Sequence, residues 1–133
     1  MAAHRFAAVR RGSHSSAPLL WLDRFVSAVR NNDLAAGRDL FAPDVVGYGV
    51  ISDRMLDLDA LVDEQWRPTW RQVAAWSVTD VDLAVAAENV AVLAFCWRRE
   101  NPDGSGLSGR ATVILRLSAD GWVCVHSHLS ASP

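Results

Sequence analysis

The chain predicts an α+β domain with helices covering one face of a curved sheet, and three observations carry that prediction. Apolar residues recur at helical spacing from Pro18 to Val29, and again from about Asp57 to Val73. From Ser77 onward they alternate at a period of two. Turn clusters at 101–106 and 119–121 cut that second half into strands joined by short reversals, hence an antiparallel sheet. With 133 residues the chain is long enough to bury a core and short enough for one domain.

The elements follow in order. Leu19, Leu22, Phe25, Val26 and Val29 form one apolar stripe, with Pro18 suited to a first helical turn and Asn31-Asn32 ending the helix. Asp33 caps a short second helix that supplies Leu34, Leu40 and Phe41 and stops at Pro43. Asp44 to Ile51 reads as a strand, and 53–57 as a polar bend. Asp57 or Asp59 starts a third helix in which Val62, Trp66 and Trp70 make one ridge; Pro68 either kinks it or begins a separate turn. Four strands complete the chain: Ser77 to Ala86 with a bulge near Asp80, Asn89 to Glu100, Ser108 to Leu117, and Gly121 to Ser130.

Bulk composition excludes several functions. Half the residues are hydrophobic, 21% are charged and the net charge is −2, which gives no electrostatic reason to expect nucleic acid or an anionic membrane as partner. No apolar run reaches the roughly 18 residues of a membrane span. Cys96 and Cys124 make neither a disulfide framework nor a Cys-x-x-Cys motif. Residues 1–17 carry Arg5, Arg10 and Arg11 without an acid and read as a basic arm ahead of the domain at 18–133. A cytoplasmic location is the default expectation.

The last strand decides the candidate site, because alternation puts Cys124, His126 and His128 on one face and Val125, Ser127 and Leu129 on the other. His126 and His128, about 6.6–7 Å apart along the strand, point together. Pairing Ser118 with Trp122 adds Arg110, Thr112 and Ile114 to their face, and Phe95 and Trp97 are placed there too. Zinc is disfavoured, since no fourth ligand accompanies Cys124, His126 and His128. A subunit interface and a pocket-facing acid/base pair remain the alternatives. The opposite face, with Val113, Leu115, Ser127, Leu129, Cys96 and Arg98 from the strands and Trp66, Trp70 and Tyr48 from elsewhere, makes either a filled core or an apolar pocket. Within it Tyr48 or Arg98 would polarise a substrate oxygen, and His126 or His128 would act as base if turned inward. Asp44 and Asp63 are marginal, and no paired carboxylates stand at a convincing spacing.

The element order, together with Asn32-Asp33-Leu34, Phe41-Ala42-Pro43-Asp44 and Asp120-Gly121-Trp122 leading to His126-Ser127-His128-Leu129-Ser130, resembles the nuclear-transport-factor-like superfamily and its SnoaL-like branch. It is also similar to the association domain of calcium/calmodulin-dependent protein kinase II. The resemblance implies a cone-shaped fold, three N-terminal helices on a curved, mostly antiparallel sheet, with a pocket on the concave side and a second subunit on the convex side. The kinase domain's pocket holds acidic ligands through basic groups that fall here at Val62, Cys96, Leu115 and Leu129, so none of those groups is retained. The implied ligand is apolar and ring-containing.

The leading expectation is a cofactor-free isomerase, cyclase or dehydratase of SnoaL-like type. Its catalytic candidates are Tyr48, Arg98, His126 and His128, and its pocket is formed by Val62, Trp66, Trp70, Cys96, Leu115, Ser127 and Leu129. No metal, nucleic acid or membrane is expected, and the expected partners are an apolar small molecule and a second copy of the chain. The alternative is a non-catalytic ligand-binding or oligomerisation module.

Overall fold

The computed structural model describes residues 16–132, and the expected basic arm lies almost wholly outside them. Helix α1 is Ser16–Arg30 and α2 is Leu34–Arg38. Asn32 ends α1 in the left-handed region (φ 49°), where the Asp33 N–H returns to Ala28 O at 2.9 Å. The Asp33 carboxylate then caps α2 by accepting from the Ala36 N–H at 3.0 Å.

Strand β1 is Phe41–Tyr48, three residues earlier than expected, and it contains Pro43. Proline is tolerated there because pairing with the last strand lapses between Phe41 and Val46, so no ladder donor is needed at 43. A short β2, Arg54–Met55, lies in the expected polar bend. The third helix, α3, has three parts: an α-turn at Leu58–Leu61 capped by Asp57, a π-turn at Val62–Trp66, and an α-turn at Arg67–Trp70. The wide turn sits just ahead of Pro68, whose ring cannot approach the carbonyl four residues back in a regular helix.

Strands β3 (Ala75–Ala86), β4 (Val90–Glu100), β5 (Gly106–Ser118) and β6 (Gly121–Ala131) complete a sheet of order β2-β1-β6-β5-β4-β3. All neighbours are antiparallel except β1 and β6. The expected bulge in β3 is present, with Asp80 at φ 52° where the register shifts between Thr79 and Asp82.

Two registers differ from expectation, and both decide which chemistry faces inward. The β5–β6 reversal pairs Ser118 with Gly121, one residue tighter than expected, and a bulge at Val125 restores the Ile114–His126 and Thr112–His128 pairs. Cys124 is thereby moved off the histidine face and stands opposite Leu115, fully buried in the core. In β4 the pairs Phe95–Ala111 and Trp97–Gly109 turn Ala91, Leu93, Phe95 and Trp97 inward. Cys96 and Arg98 therefore lie on the outer face, contrary to expectation. The core between helices and sheet joins Trp21, Phe25, Phe41, Val62, Trp66, Trp70, Trp76, Leu93, Val113 and Leu115. Among the described residues no helix is long and apolar enough to cross a membrane.

Candidate ligand pocket

The pocket is built on a stacked indole pair. Trp66 and Trp70, one turn apart on α3, lie 4.5 Å between ring centroids and 17° from parallel. They fit because α2 passes close by with Gly37, where a Cβ would stand 2.8–2.9 Å from both rings. Phe25 of α1 meets Trp66, Trp70 and Trp76 at 5.9–6.1 Å, and Phe41 meets Trp66 edge-on at 4.8 Å. On the sheet, Gly109 leaves the space that Trp97 occupies, and the Trp97 indole N–H donates to Arg110 O at 3.2 Å.

These rings surround a cavity of about 90 Å³, lined also by Val29, Val50, Ile51, Val73, Leu107, Val113 and Leu129. Its polar groups come from Gln65, Thr69, Arg99 and Ser127. The Thr69 hydroxyl donates to Gln65 O at 2.5 Å and so is engaged by its own helix. The Gln65 carboxamide is buried, and its Oε1 has no hydrogen-bond partner among the described residues. It packs on Gly49, where a Cβ would collide with that oxygen. Ser127 is 5% exposed and enters no hydrogen bond among the described side chains. Arg99, inward like Trp97, donates from Nε to Asn101 Oδ1 at 2.8 Å; partial burial lowers its pKa.

Of the residues expected from sequence to form the pocket, Trp66, Trp70, Ser127 and Leu129 line the cavity. Val62 and Leu115 are buried in the core without reaching it. Cys96 lies on the outer face, opposite Arg110. None of the four catalytic candidates enters the cavity. Arg98 stands beside Glu100 at 3.9 Å, largely in solvent. Tyr48 is 37% exposed and packs edge-on against His126 and His128 at 5.4 and 5.6 Å. His126 Nδ1 lies 2.8 Å from Val46 O, so this ring is a donor to the backbone of β1. Asp44 is exposed, and Asp63 is exposed beside Arg67 at 3.4 Å.

Sequence reasoning missed Phe25, Trp76, Trp97, Gln65 and Arg99 as pocket residues. A signal for β4 was available: Ala91, Leu93, Phe95 and Trp97 carry more apolar bulk than Val92, Ala94, Cys96 and Arg98, and the bulkier set goes inside. The lining can hold a flat ring and offer it a hydroxyl, a carboxamide and a guanidinium. Among the described residues no cluster of three His, Cys, Asp or Glu is placed to hold a metal ion.

The SnoaL-like domain family matches residues 21–133. Solved structures share the fold. An NTF2-like protein of unknown function from Pseudomonas putida is 22% identical over 88% of this chain and 85% of its own, with a TM-score of 0.78. A ketosteroid isomerase-like protein from Erwinia carotovora is 18% identical over 89% and 96%, at 0.72. A protein with a cystatin-like fold from Caulobacter vibrioides is 15% identical over 92% of both chains, at 0.74. No curated protein matches. A family match covering most of the described chain, on a fold whose sheet and helices enclose this aromatic pocket, makes the protein a member of the SnoaL-like family.

Proposed function

We propose that this protein binds a small metabolite built on a single apolar ring in the aromatic slot beneath its helices. The observation that supports this is the cavity beside the stacked Trp66–Trp70 pair, with six aromatic side chains and few polar groups in its wall. At about 90 Å³ the slot is well below the roughly 300–1,000 Å³ usual for drug-sized ligands, which favours one ring over a fused polycycle. Titrating the protein with phenol while following tryptophan fluorescence tests the reading. Saturable quenching that Trp70→Leu weakens, with the folded circular dichroism spectrum intact, is the expected result; a linear, unsaturable response would refute it.

The second reading is the isomerase, cyclase or dehydratase, and Arg99 with Ser127 favours it, since both can donate to a developing oxyanion. Binding ranks first because acid–base turnover needs a proton carrier near neutral pH, and among the described residues Arg99 is the only charged side chain in the slot wall. On the outer face, Tyr48, His126 and His128 form a polar-aromatic patch suited to a second copy of the chain. Light scattering of His128→Glu against the unaltered protein tests that arrangement: a dimer lost in the variant supports it, and an unaltered protein that is already monomeric removes it.

A further inference from the structure

One charge in this pocket has no counter-ion among the described residues. Arg99 stands where the inner slot opens into a wider outer groove, since Ile51, Thr69, Arg99 and Leu107 line both. Its Nε is satisfied by the neutral Asn101 side chain. Among the described residues no carboxylate pairs with it. Neighbouring Glu100 approaches Arg98 instead. Asp103, the acid of the outer groove, is folded onto its own turn, accepting from the Ser105 N–H at 2.9 Å and hydroxyl at 2.6 Å. A partly desolvated cation without a counter-ion is unfavourable, whereas a guanidinium facing a carboxylate makes paired, charge-assisted hydrogen bonds.

Two further polar groups sit within the slot and away from the outer groove. Ser127 offers a hydroxyl that donates or accepts, and Gln65 a carboxamide whose oxygen lacks a donor among the described residues. We propose that the ligand is a small flat-ring acid: its carboxylate meets Arg99 at the mouth, its ring lies in the aromatic slot, and a ring hydroxyl or N–H reaches Ser127 and Gln65 inside. This assigns a substrate class to the pocket and rests on the binding reading above.

Calorimetric titration of the full chain with phenol, 4-hydroxybenzoate and 4-hydroxybenzamide tests it. The acid is expected to bind roughly tenfold or more tightly than either neutral probe, as a charge-assisted pair would give. Arg99→Gln should cost the acid at least severalfold more affinity than it costs phenol and bring the two to within about twofold, because only the acid draws on the charge. Ser127→Ala should weaken 4-hydroxybenzoate severalfold more than it weakens benzoate. The comparison of acid with amide needs no variant, so it stands even if Arg99→Gln fails to fold. If phenol binds but the acid gains nothing over it, or keeps its gain in folded Arg99→Gln, the acid-ligand inference is wrong and the pocket survives. If no probe binds, the pocket reading falls and takes this inference with it.

Discussion

The two faces of the sheet carry opposite chemistry on the same strands. Along β4, β5 and β6 the inward residues are Leu93, Phe95, Trp97, Ala111, Val113, Leu115, Cys124 and Ser127, all buried. Between them, facing out, stand Cys96, Arg98, Arg110, Thr112, Arg116, His126 and His128. Residues that look catalytic from sequence are therefore outside, and those facing the cavity are chiefly hydrocarbon. A strand's period of two makes this contrast absolute, since a shift of one position exchanges the faces. In β6 the bulge at Val125 makes such an exchange inside a single strand, sending Cys124 to the core and His126 to the surface.

The largest expected effect separates neighbours on β5. Leu115→Ala should cost roughly 2–5 kcal/mol of unfolding free energy by cavity formation, whereas Thr112→Ala should stay within about 0.5 kcal/mol. Urea denaturation measures both, and equal losses would break the contrast. Next is Gly49→Ala on the loop after β1, whose Cβ would displace the Gln65 carboxamide. A loss of about 1–3 kcal/mol is expected from that overpacking, and the 4-hydroxybenzoate titration should weaken with it.

Cys124 gives a test by pH. Burial pushes its thiol well above the ordinary value, while Cys96 is only half-buried. The folded protein therefore keeps a proton that the unfolded chain releases above about pH 8.5. Stability should be full below that pH and fall above it, by at most about 1.4 kcal/mol per pH unit. Cys124→Ala should flatten the slope. A thiol reagent should label Cys96 in the native protein and reach Cys124 only after unfolding. The smallest effect is His126→Ala, which removes the bond to Val46 O and should cost about 1 kcal/mol while leaving phenol affinity unchanged. A large fall in phenol affinity there would place the histidine in the pocket after all.

What was legible in the sequence was local. The α1 stripe, the Asp33 cap, the Asp80 bulge and the Trp66–Trp70 ridge depend on neighbours within a turn or two, and the chain states them directly. The facing of Tyr48, Cys96, Arg98 and Cys124 depends on pairing between strands: β1 with β6 for Tyr48, β4 with β5 for Cys96 and Arg98, and, for Cys124, a two-residue turn and one bulge between β5 and β6. Period-two alternation identifies the two sets of residues without saying which is inside. For β4 the apolar bulk of Phe95 and Trp97 could have decided it; for Cys124 nothing in the local pattern announces the bulge. Gln65 reads as an ordinary polar position within a helix, and its role emerges only once Gly49 and the cavity are placed against it.

The central claim is that ligands enter the aromatic face of the sheet and avoid the histidine face. A nuclear magnetic resonance titration with phenol, observing the backbone of Ser127 and Leu129 together with the imidazoles of His126 and His128, tests it most directly. Saturable shifts at Ser127, Leu129 and the Trp66 and Trp70 indoles, with both imidazoles unmoved, are predicted. Saturable shifts at the imidazoles with the indoles silent would contradict the account.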